Sequence, residues 1–350
     1  MIAVLLLFVG MAALSLAHEL GHAAAARTCG FHITDICIGL GPALLRFERR
    51  GIRWMIGPVP LGGFVRVAEL APDNIESKSE GTAWFSAGSI ARRMAVIGAG
   101  PATNYVLAAI VTLALTFGWG IETGRAQGLR VVSVDEGTRQ AGLAVGDLVS
   151  QANGHAVSDL RSLSNALADS DGGGLAMVSL HRGGLPVQIH LPRLRARSGA
   201  WGLGAAYVIE PELLQVGLAR TLVHALSAPM LEARTMLVHA ANVLTRRRTA
   251  SARSLGRPLG IVGLADRVQA TKVWSARRGL MLAISLSIAM GLFNLLPFPG
   301  LDGGRLCIEA VQAARRRRLP TRSLIAIQVT GGLILLAAWL LLTAFEIYRW

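Results

Sequence analysis

Cysteine, aromatic residues and acidic residues are all scarce in this chain of 350 residues. The three cysteines, Cys29, Cys37 and Cys307, include no CxxC pair, so they indicate neither a disulfide framework nor a cysteine zinc site. Aromatic residues make up only 5% of the chain. The excess of 35 Lys and Arg over 21 Asp and Glu therefore lacks the aromatic-rich basic domain that is typical of nucleic-acid binding. We predict no nucleic-acid partner.

Apolar residues are abundant, at 52% of the chain, and the mean hydropathy is +0.49. Four apolar stretches each approach the roughly 20 residues that a helix needs to cross a bilayer. The first stretch also resembles a secretory signal peptide, but it lacks the basic segment with which such peptides begin. The sequence predicts a mainly α membrane protein with four transmembrane helices, at residues 1–26, 94–119, 279–304 and 324–345.

Basic residues are concentrated in two of the connections between these stretches. Residues 27–93 are rich in arginine, and residues 305–323 contain the run from Arg315 to Arg318. Lysine and arginine are retained on the cytoplasmic side of membrane proteins, so both connections are predicted to be cytoplasmic. The long connection between the second and third stretches is then predicted to be extracytoplasmic.

The long connection contains a second pattern, of short strands and turns. Residues 124–198 are predicted to form an inserted β/α domain, with a turn at Asn153-Gly154 and a helix that begins near Ser158. Residues 199–278 are predicted to be amphipathic and helical. On the cytoplasmic side, Ile52 to Val67 combine prolines and glycines with apolar residues and are predicted to form a membrane-dipping hairpin.

The first apolar stretch contains the segment HELGH. His18 and His22 are four residues apart and share one face of a helix, and Glu19 lies close enough to activate a water molecule bound beside them. Ionisable residues inside a membrane helix are costly and are functional by default. The alternative is a helix that ends at Ala17 and leaves these residues as an exposed cap. The apolar residues after His22 argue against that alternative.

A catalytic zinc ion usually has three protein ligands and one open position, so a further ligand is expected. Asp302 is the candidate, because it follows a proline-rich break at the end of the third stretch, in NLLPFPGLDGG. Irregular backbone at membrane depth is tolerated where it is buried in protein or lines a wet cavity. The alternative is that Asp302 only caps the following helix.

Several motifs, in order along nearly the whole chain, resemble the site-2 protease family of intramembrane zinc metalloproteases. The resemblance is to the bacterial RseP-type branch, which carries a PDZ domain in its outer loop. Besides HELGH and NLLPFPGLDGG, the motifs are GLGPALLRF at 39–47, PLGGFVRV at 60–67, GAGPATNYVLA at 98–108 and AGLAVGDLVSQANG at 141–154. The family often has two PDZ modules in this loop, whereas the pattern here indicates one.

The resemblance implies roles for particular residues. It implies that zinc is held by His18, His22 and Asp302 and that Glu19 activates the water. It also implies that Asn294 binds the unwound backbone of the substrate, although a hydrogen bond between helices is an equal alternative for a buried asparagine. Strand addition to an exposed edge is the general way to hold an extended peptide. The segment with Gly62 and Gly63 is the candidate edge.

The predicted function is hydrolysis of peptide bonds in the transmembrane segments of single-pass membrane proteins. The resemblance implies a place in the bacterial inner membrane, in contact with lipid, with the PDZ-like domain outside. It further implies a pre-cleaved anti-sigma factor as substrate, with signal-peptide remnants as an alternative. A PDZ scaffold without activity would leave HELGH unexplained. A transporter would need polar residues in several spans, which 94–119 and 324–345 largely lack.

Overall fold

The chain folds into two compact units. We call the first the helical unit and the second the β unit. In the computed structural model, the described residues are 2–68, 87–169, 174–195, 199–245 and 276–349. The helical unit comprises Met1–Ala114, Val223–Val268 and Gly279–Trp350. The β unit comprises Leu115–Leu222 and Gln269–Arg278.

The helical unit begins with a single long helix, α1 (Ile2–Thr28). Its end is closed by two backbone hydrogen bonds, from Gly30 N to Arg27 O at 3.1 Å and from Phe31 N to Ala26 O at 2.8 Å. Gly30 has a φ of 77°. This pair of bonds around a left-handed glycine is the Schellman motif, which satisfies the last carbonyl groups of a helix. The chain therefore leaves α1 in a fixed direction, toward a small sheet.

Four strands follow α1 and form one sheet: β1 (Ile33–Leu40), β2 (Leu45–Arg49), β3 (Ile52–Ile56) and β4 (Val59–Val67). The strand order is β2-β3-β1-β4. The predicted hairpin from Ile52 to Val67 is therefore wrong, because β1 lies between β3 and β4. The reason is burial. Ile36 and Cys37 on β1 point to opposite faces and are both buried, whereas every residue of β2 is exposed.

Two helices in the described part of the chain are long and apolar enough to cross a membrane. The first is Ser89–Trp119 within α2 (Ala87–Trp119), and the second is α6 (Ala276–Asn294). They coincide with the predicted spans 94–119 and 279–304, although the second ends ten residues early at Asn294. The other two predicted spans fall on α1 and α8 (Thr321–Arg349), and their crossing of the membrane stays a prediction.

Residues 305–323 are not the loop that the sequence predicts, because most of them belong to helix α7 (Asp302–Arg315). The helix is anchored by an ion pair between Arg93 on α2 and Glu309, with 2.9 Å between Nε and Oε2. The Arg93 side chain is buried and that of Glu309 is partly buried, so removing Glu309 would take a carboxylate partner from a buried charge and destabilise the helical unit. The helix ends where Arg316 adopts a left-handed φ of 49°.

The β unit is built on a sheet whose strand order is β12-β5-β6-β8-β9, with β7 paired to β6. These strands are β5 (Ile121–Val134), β6 (Leu148–Ala152), β7 (His155–Ala156), β8 (Leu175–Arg182), β9 (Leu185–Pro192) and β12 (Ala205–Leu214). A short pair, β10 (Leu194–Arg195) and β11 (Trp201–Gly202), and helices α3 (Glu136–Gln140) and α4 (Leu160–Ala168) complete it. The alternating inward side chains of the strands and α4 share one apolar core.

Two local predictions in the β unit are confirmed. The turn at Asn153-Gly154 joins β6 and β7, and both residues have positive φ, at 49° and 81°. Asparagine and glycine adopt this conformation most readily. The helix predicted near Ser158 is α4, and Asp159 caps it by accepting a hydrogen bond from Ser162 N.

The sheet of the β unit is longer than the predicted domain 124–198. It starts at Ile121 and ends with β12 at Leu214, because β12 pairs antiparallel with β5 along almost its whole length. The segment 199–278 therefore begins with strands, and helix α5 (Leu218–Leu244) follows them. The part of this prediction that falls on 246–275 lies outside the described residues.

Candidate metal centre

The HELGH segment lies in the second half of α1, on the face that the helical unit covers. His18, Glu19 and His22 are 5%, 7% and 9% exposed, although they are among the most polar residues of the helix. Residues four apart lie one above the other on a helix, so the two imidazoles point the same way. Their ring centroids are 4.9 Å apart. The spacing of four residues thus places the imidazole nitrogens of His18 and His22 together in a buried position.

Asp302 is brought to this pair by the loop between α6 and α7. The loop contains Pro297 and Pro299 and leads to Leu301, the residue that precedes the first turn of α7. A Cβ atom at Gly303 or Gly304 would overlap carbonyl oxygens of the same loop. The two glycines after Asp302 therefore let the loop fold tightly over the start of α7.

Three donor atoms meet at one point. Asp302 Oδ2 lies 3.1 Å from His18 Nε2 and 3.2 Å from His22 Nε2, and the two Nε2 atoms are 3.3 Å apart. Donors of a tetrahedral zinc ion, at bond lengths of about 2.0 to 2.1 Å, lie about 3.3 Å from one another. Among the described residues, this is the one group of three or more His, Cys, Asp and Glu residues that could hold a metal ion. Both the donor types and the spacing fit zinc.

The orientation of each imidazole is set from α2. His22 Nδ1 lies 2.8 Å from the backbone oxygen of Val96, so an N–H at Nδ1 donates to that carbonyl and leaves Nε2 free for a metal. Pro101 lies within α2, five residues after Val96. Proline has no backbone N–H, so Pro101 leaves the carbonyl of Ile97, which directly follows Val96, without its helical donor. His18 Nδ1 lies 3.2 Å from the side-chain amide of Asn104.

The close approach of α1 and α2 depends on two glycines. A Cβ atom at Gly100 would overlap the imidazoles of His18 and His22, and one at Gly21 would overlap Thr103 and the backbone oxygen of Ala99. Glycine at both positions lets the two helices touch at the level of the metal centre. This is the small-residue packing that is common between membrane helices.

Glu19 faces the small sheet. A Cβ atom at Gly63 on β4 would overlap the backbone oxygen of Cys37 on β1 and would lie 3.1 Å from Glu19 Cγ, so glycine at this position lets β4 pack against both β1 and Glu19. Gly62 is exposed and has a φ of 80°, which favours glycine. Asn294, the last residue of α6, is half-buried, and its role stays a prediction.

The sequence reasoning missed the residues of α2 that surround the histidines. Asn104, Gly100 and the Val96 carbonyl all lie in or beside the motif GAGPATNYVLA, which served only as a family resemblance. Asn104 carries one usable signal, because a polar side chain in an apolar span is expected to have a partner. The backbone carbonyl of Val96 gives no signal in a sequence.

A family model described as Peptidase family M50 matches residues 6–338. The chain belongs to peptidase family M50. This is the family of the site-2 proteases, which are membrane-embedded and zinc-dependent. The predicted resemblance, the enzyme class and the zinc cofactor are thereby confirmed, and the chain is a zinc-dependent protease.

Similar proteins span almost the same length as this M50 chain. One from Clostridium perfringens, which carries a zinc metalloprotease name, is 28% identical over 342 residues, covering 96% of this chain and 95% of the relative. Metalloprotease MmpA of Caulobacter vibrioides is 28% identical over 387 residues, covering 95% and 93%. The PDZ domain of an SdrC-like protein from Listeria monocytogenes covers 23% of this chain and 88% of its own, at 21% identity and a TM-score of 0.21, which is too low to support a fold assignment.

Proposed function

We propose that this M50 protease hydrolyses peptide bonds within the membrane, with zinc held by His18, His22 and Asp302. The observation that supports the proposal is the meeting of these three donors beside Glu19, in the half of α1 nearer its basic end. Arg27 marks that end, where a cytoplasmic boundary is expected. Cleavage therefore takes place inside the bilayer, toward the cytoplasmic side.

The proposed chemistry divides between the metal and Glu19. When bound, zinc polarises the substrate carbonyl and makes a water molecule easier to deprotonate. Glu19 follows His18 directly in the chain, and its buried carboxylate is the proton acceptor for that water. The resulting hydroxide adds to the carbonyl carbon of the peptide bond, and when the C–N bond breaks Glu19 returns the proton to the leaving amine. The Val96 carbonyl keeps the His22 ring fixed throughout.

The substrate is held as an extended strand along β4. A peptide bond inside a helix is hydrogen-bonded within the helix, so the target segment must unwind before it reacts. In the described part of the sheet, β4 pairs on one edge with β1 and its other edge has no strand partner. A peptide added there lies beside Glu19, because Gly63 brings β4 against that side chain.

Gly62, Gly63 and Asn294 are proposed to serve substrate binding. The two glycines present backbone without side-chain bulk, so a second strand can approach β4 closely. Asn294 stands at the break between α6 and the loop that leads to Asp302. From there its amide binds backbone groups of the unwound substrate.

The proposed topology has four spans in the bacterial inner membrane, in contact with lipid. The arginine-rich connection 27–93 and helix α7 are proposed to lie on the cytoplasmic side. The β unit is then the extracytoplasmic, PDZ-like domain. Its proposed task is to select substrates, either by binding a newly exposed carboxyl terminus or by excluding proteins that are too large. The proposed substrates are single-pass membrane proteins trimmed by another protease, such as an anti-sigma factor, or signal-peptide remnants.

A Glu19→Gln variant tests the catalytic proposal. Glutamine keeps the size of the side chain but cannot accept the proton, so the purified variant in detergent should bind zinc at the wild-type level and cleave no transmembrane peptide. Zinc content is measured by mass spectrometry and cleavage by a fluorogenic transmembrane peptide. Proteolysis at the wild-type rate would show that Glu19 is not the base.

The substrate class is tested in cells that carry either wild-type protein or Glu19→Gln. Membrane fragments from the two strains are compared by quantitative proteomics. Single-pass stubs that accumulate only in the variant support the proposal, and their sequences separate anti-sigma factors from signal-peptide remnants. Accumulation of intact soluble proteins instead would contradict cleavage within the membrane.

A further inference from the structure

Asn104 on α2 is fully buried beside His18. Its side-chain amide lies 3.2 Å from Nδ1 of His18, while Nε2 of the same ring lies 3.1 Å from Asp302 Oδ2. The imidazole is thus held between a carboxylate on one side and an amide on the other. The carboxylate of Asp302 is one of the proposed zinc ligands, whereas the amide of Asn104 lies outside that set of ligands.

Binding of a metal ion would determine which ring nitrogen of His18 carries the hydrogen. A neutral imidazole has one N–H and one bare nitrogen, and the bare nitrogen binds the metal. If Nε2 of His18 binds zinc, Nδ1 carries the hydrogen and needs an acceptor. Metal-binding histidines almost always donate their second N–H to a carboxylate, a carbonyl or water. Asn104 is the side chain at that position.

The oxygen of an asparagine amide accepts a hydrogen bond, whereas its nitrogen donates one, so only the oxygen can serve as the acceptor for His18 Nδ1. As placed, Nδ2 faces His18, which sets a donor against a donor once Nδ1 carries its hydrogen. Oδ1 is buried and, among the described atoms, has no hydrogen-bond partner, so an acceptor is available on the same side chain. The nitrogen and oxygen of an amide are assigned from the hydrogen-bond network, and a half-turn exchanges them.

The position of Asn104 is itself fixed by α6. Ser287 Oγ donates to the backbone oxygen of Asn104 at 2.8 Å, and a Cβ atom at Gly291 would lie 3.3 Å from Asn104 Cβ. The same helix, α2, supplies the acceptor for His22, which is the Val96 carbonyl. Both imidazoles would then be oriented from α2 through an oxygen atom.

We infer that Asn104 is a positioning residue for zinc. Its Oδ1 accepts the hydrogen of His18 Nδ1 and so keeps Nε2 bare for the metal. The inference rests on the proposed ligands His18, His22 and Asp302, and it assigns Asn104 no contact with the substrate.

The test compares four purified variants by the rate at which a chelator removes zinc. Asn104→Asp keeps an acceptor and loses the amide hydrogens, whereas Asn104→Leu and Asn104→Ala lose both. We expect zinc binding in the Leu and Ala variants to weaken by about 10- to 100-fold, and the Asp variant to stay near wild type. Thr112→Val is the control and should release zinc at the wild-type rate, because Thr112 is another buried polar residue of α2 whose hydroxyl donates to Ala108 O within that helix.

Each outcome decides the inference. Weakening in Asn104→Asp equal to that in Asn104→Leu would show that the amide hydrogens matter, and would overturn it. Wild-type zinc release by Asn104→Ala would overturn it as well. If Asn104→Leu fails to fold, which thermal unfolding in detergent reports, the comparison of Ala with Asp still decides. The visible spectrum of the cobalt-loaded protein is a second readout, expected to change in Asn104→Ala and to be kept in Asn104→Asp.

Failure of the proposed ligand set gives a different result. Wild-type protein would then contain no stoichiometric zinc, or zinc would remain after His22→Ala and Asp302→Ala are combined. If instead these two changes remove zinc while the Asn104 variants keep it, the ligand set stands and the role of Asn104 is wrong.

Discussion

Gly100 on α2 lies so close to Nε2 of His22 that a single methyl group in its place would overlap the imidazole. The same methyl group would press on Cε1 and Nε2 of His18. Both ligand atoms would have to move, and the packed helices leave them little space. The absence of a side chain at one position thus protects the geometry of two donors.

Gly100→Ala is therefore expected to remove zinc from the purified protein and to abolish cleavage. Overpacking of this kind costs about 1–3 kcal/mol of stability, which a membrane helix bundle can survive. Gly98→Ala is the matched control, because a Cβ atom there meets nothing within 4 Å. Zinc content and cleavage are measured for both. Equal zinc content in the two variants would contradict the prediction.

The loop before Asp302 depends on a second glycine, Gly331 on α8. A Cβ atom at Gly331 would overlap the backbone oxygen of Pro299, whereas one at Gly332 meets nothing within 4 Å. Gly331→Ala should destabilise the protein by about 1–3 kcal/mol and speed the release of zinc, because Pro299 lies in the tight loop that leads to Asp302 at the start of α7. Gly332→Ala should be neutral or slightly stabilising. Thermal unfolding and chelator kinetics test the pair, and identical behaviour of the two variants would refute the packing argument.

Strand addition along β4 predicts a period of two in the substrate. Successive backbone groups of a strand alternate in direction, so only every second amide can donate to the edge of β4. Transmembrane peptides with single N-methyl residues around the cleavage site should lose cleavage at alternate positions and retain it between them. Side-chain changes at the same positions serve as the control. Equal loss at every N-methyl position would exclude this mode of binding.

The hydrogen-bonded cap at the start of α4 predicts that the stability of the β unit depends on pH. Hydrogen bonds from the backbone and side chain of Ser162 lower the pKa of Asp159 below its ordinary value of 3.8. A lowered folded-state pKa means that the cap stabilises the fold above the unfolded pKa and that this contribution is lost as the pH falls through the folded pKa. Wild-type protein should therefore be more stable than Asp159→Ala at pH 6, and the difference should shrink below about pH 3.8.

Trp201 provides the local probe for this measurement, because its backbone N–H donates to Ser164 Oγ on α4 at 3.0 Å. Urea unfolding is followed by Trp201 fluorescence at both pH values, in a background with the other tryptophans replaced by phenylalanine. A gap between wild type and Asp159→Ala that is independent of pH would show that the charge of Asp159 has no part in the cap.

Local patterns in the sequence were sufficient to predict the histidines and the aspartate of the candidate metal centre. The spacing of His18 and His22 defines a helix face without any knowledge of the fold, and Asp302 stands out because prolines break the helix before it. The turn at Asn153-Gly154 is equally local, since it follows from the φ preferences of two residues. In each case the information lies within a few residues.

The same local reasoning does not predict which distant segments of the chain pair with one another. Nothing near Ile52 to Val67 shows that β1 enters between β3 and β4, because the pairing partner lies elsewhere in the chain. The helix α7 was missed because the run from Arg315 to Arg318 dominated its pattern, whereas Glu309 is bound by Arg93 from a distant helix. Asn104 looks like an isolated polar residue until α1 is packed against α2.

The histidines and the aspartate of the candidate metal centre are synthesised at different times. His18 and Asp302 are separated by 284 positions in the chain. At about 5–20 residues per second, a ribosome needs roughly 14 to 57 seconds to travel from one to the other. Throughout that interval the growing chain has His18, Glu19 and His22 but lacks Asp302, so the proposed set of three zinc ligands is incomplete. The order of synthesis therefore sets the earliest time at which the proposed three-ligand site can be complete.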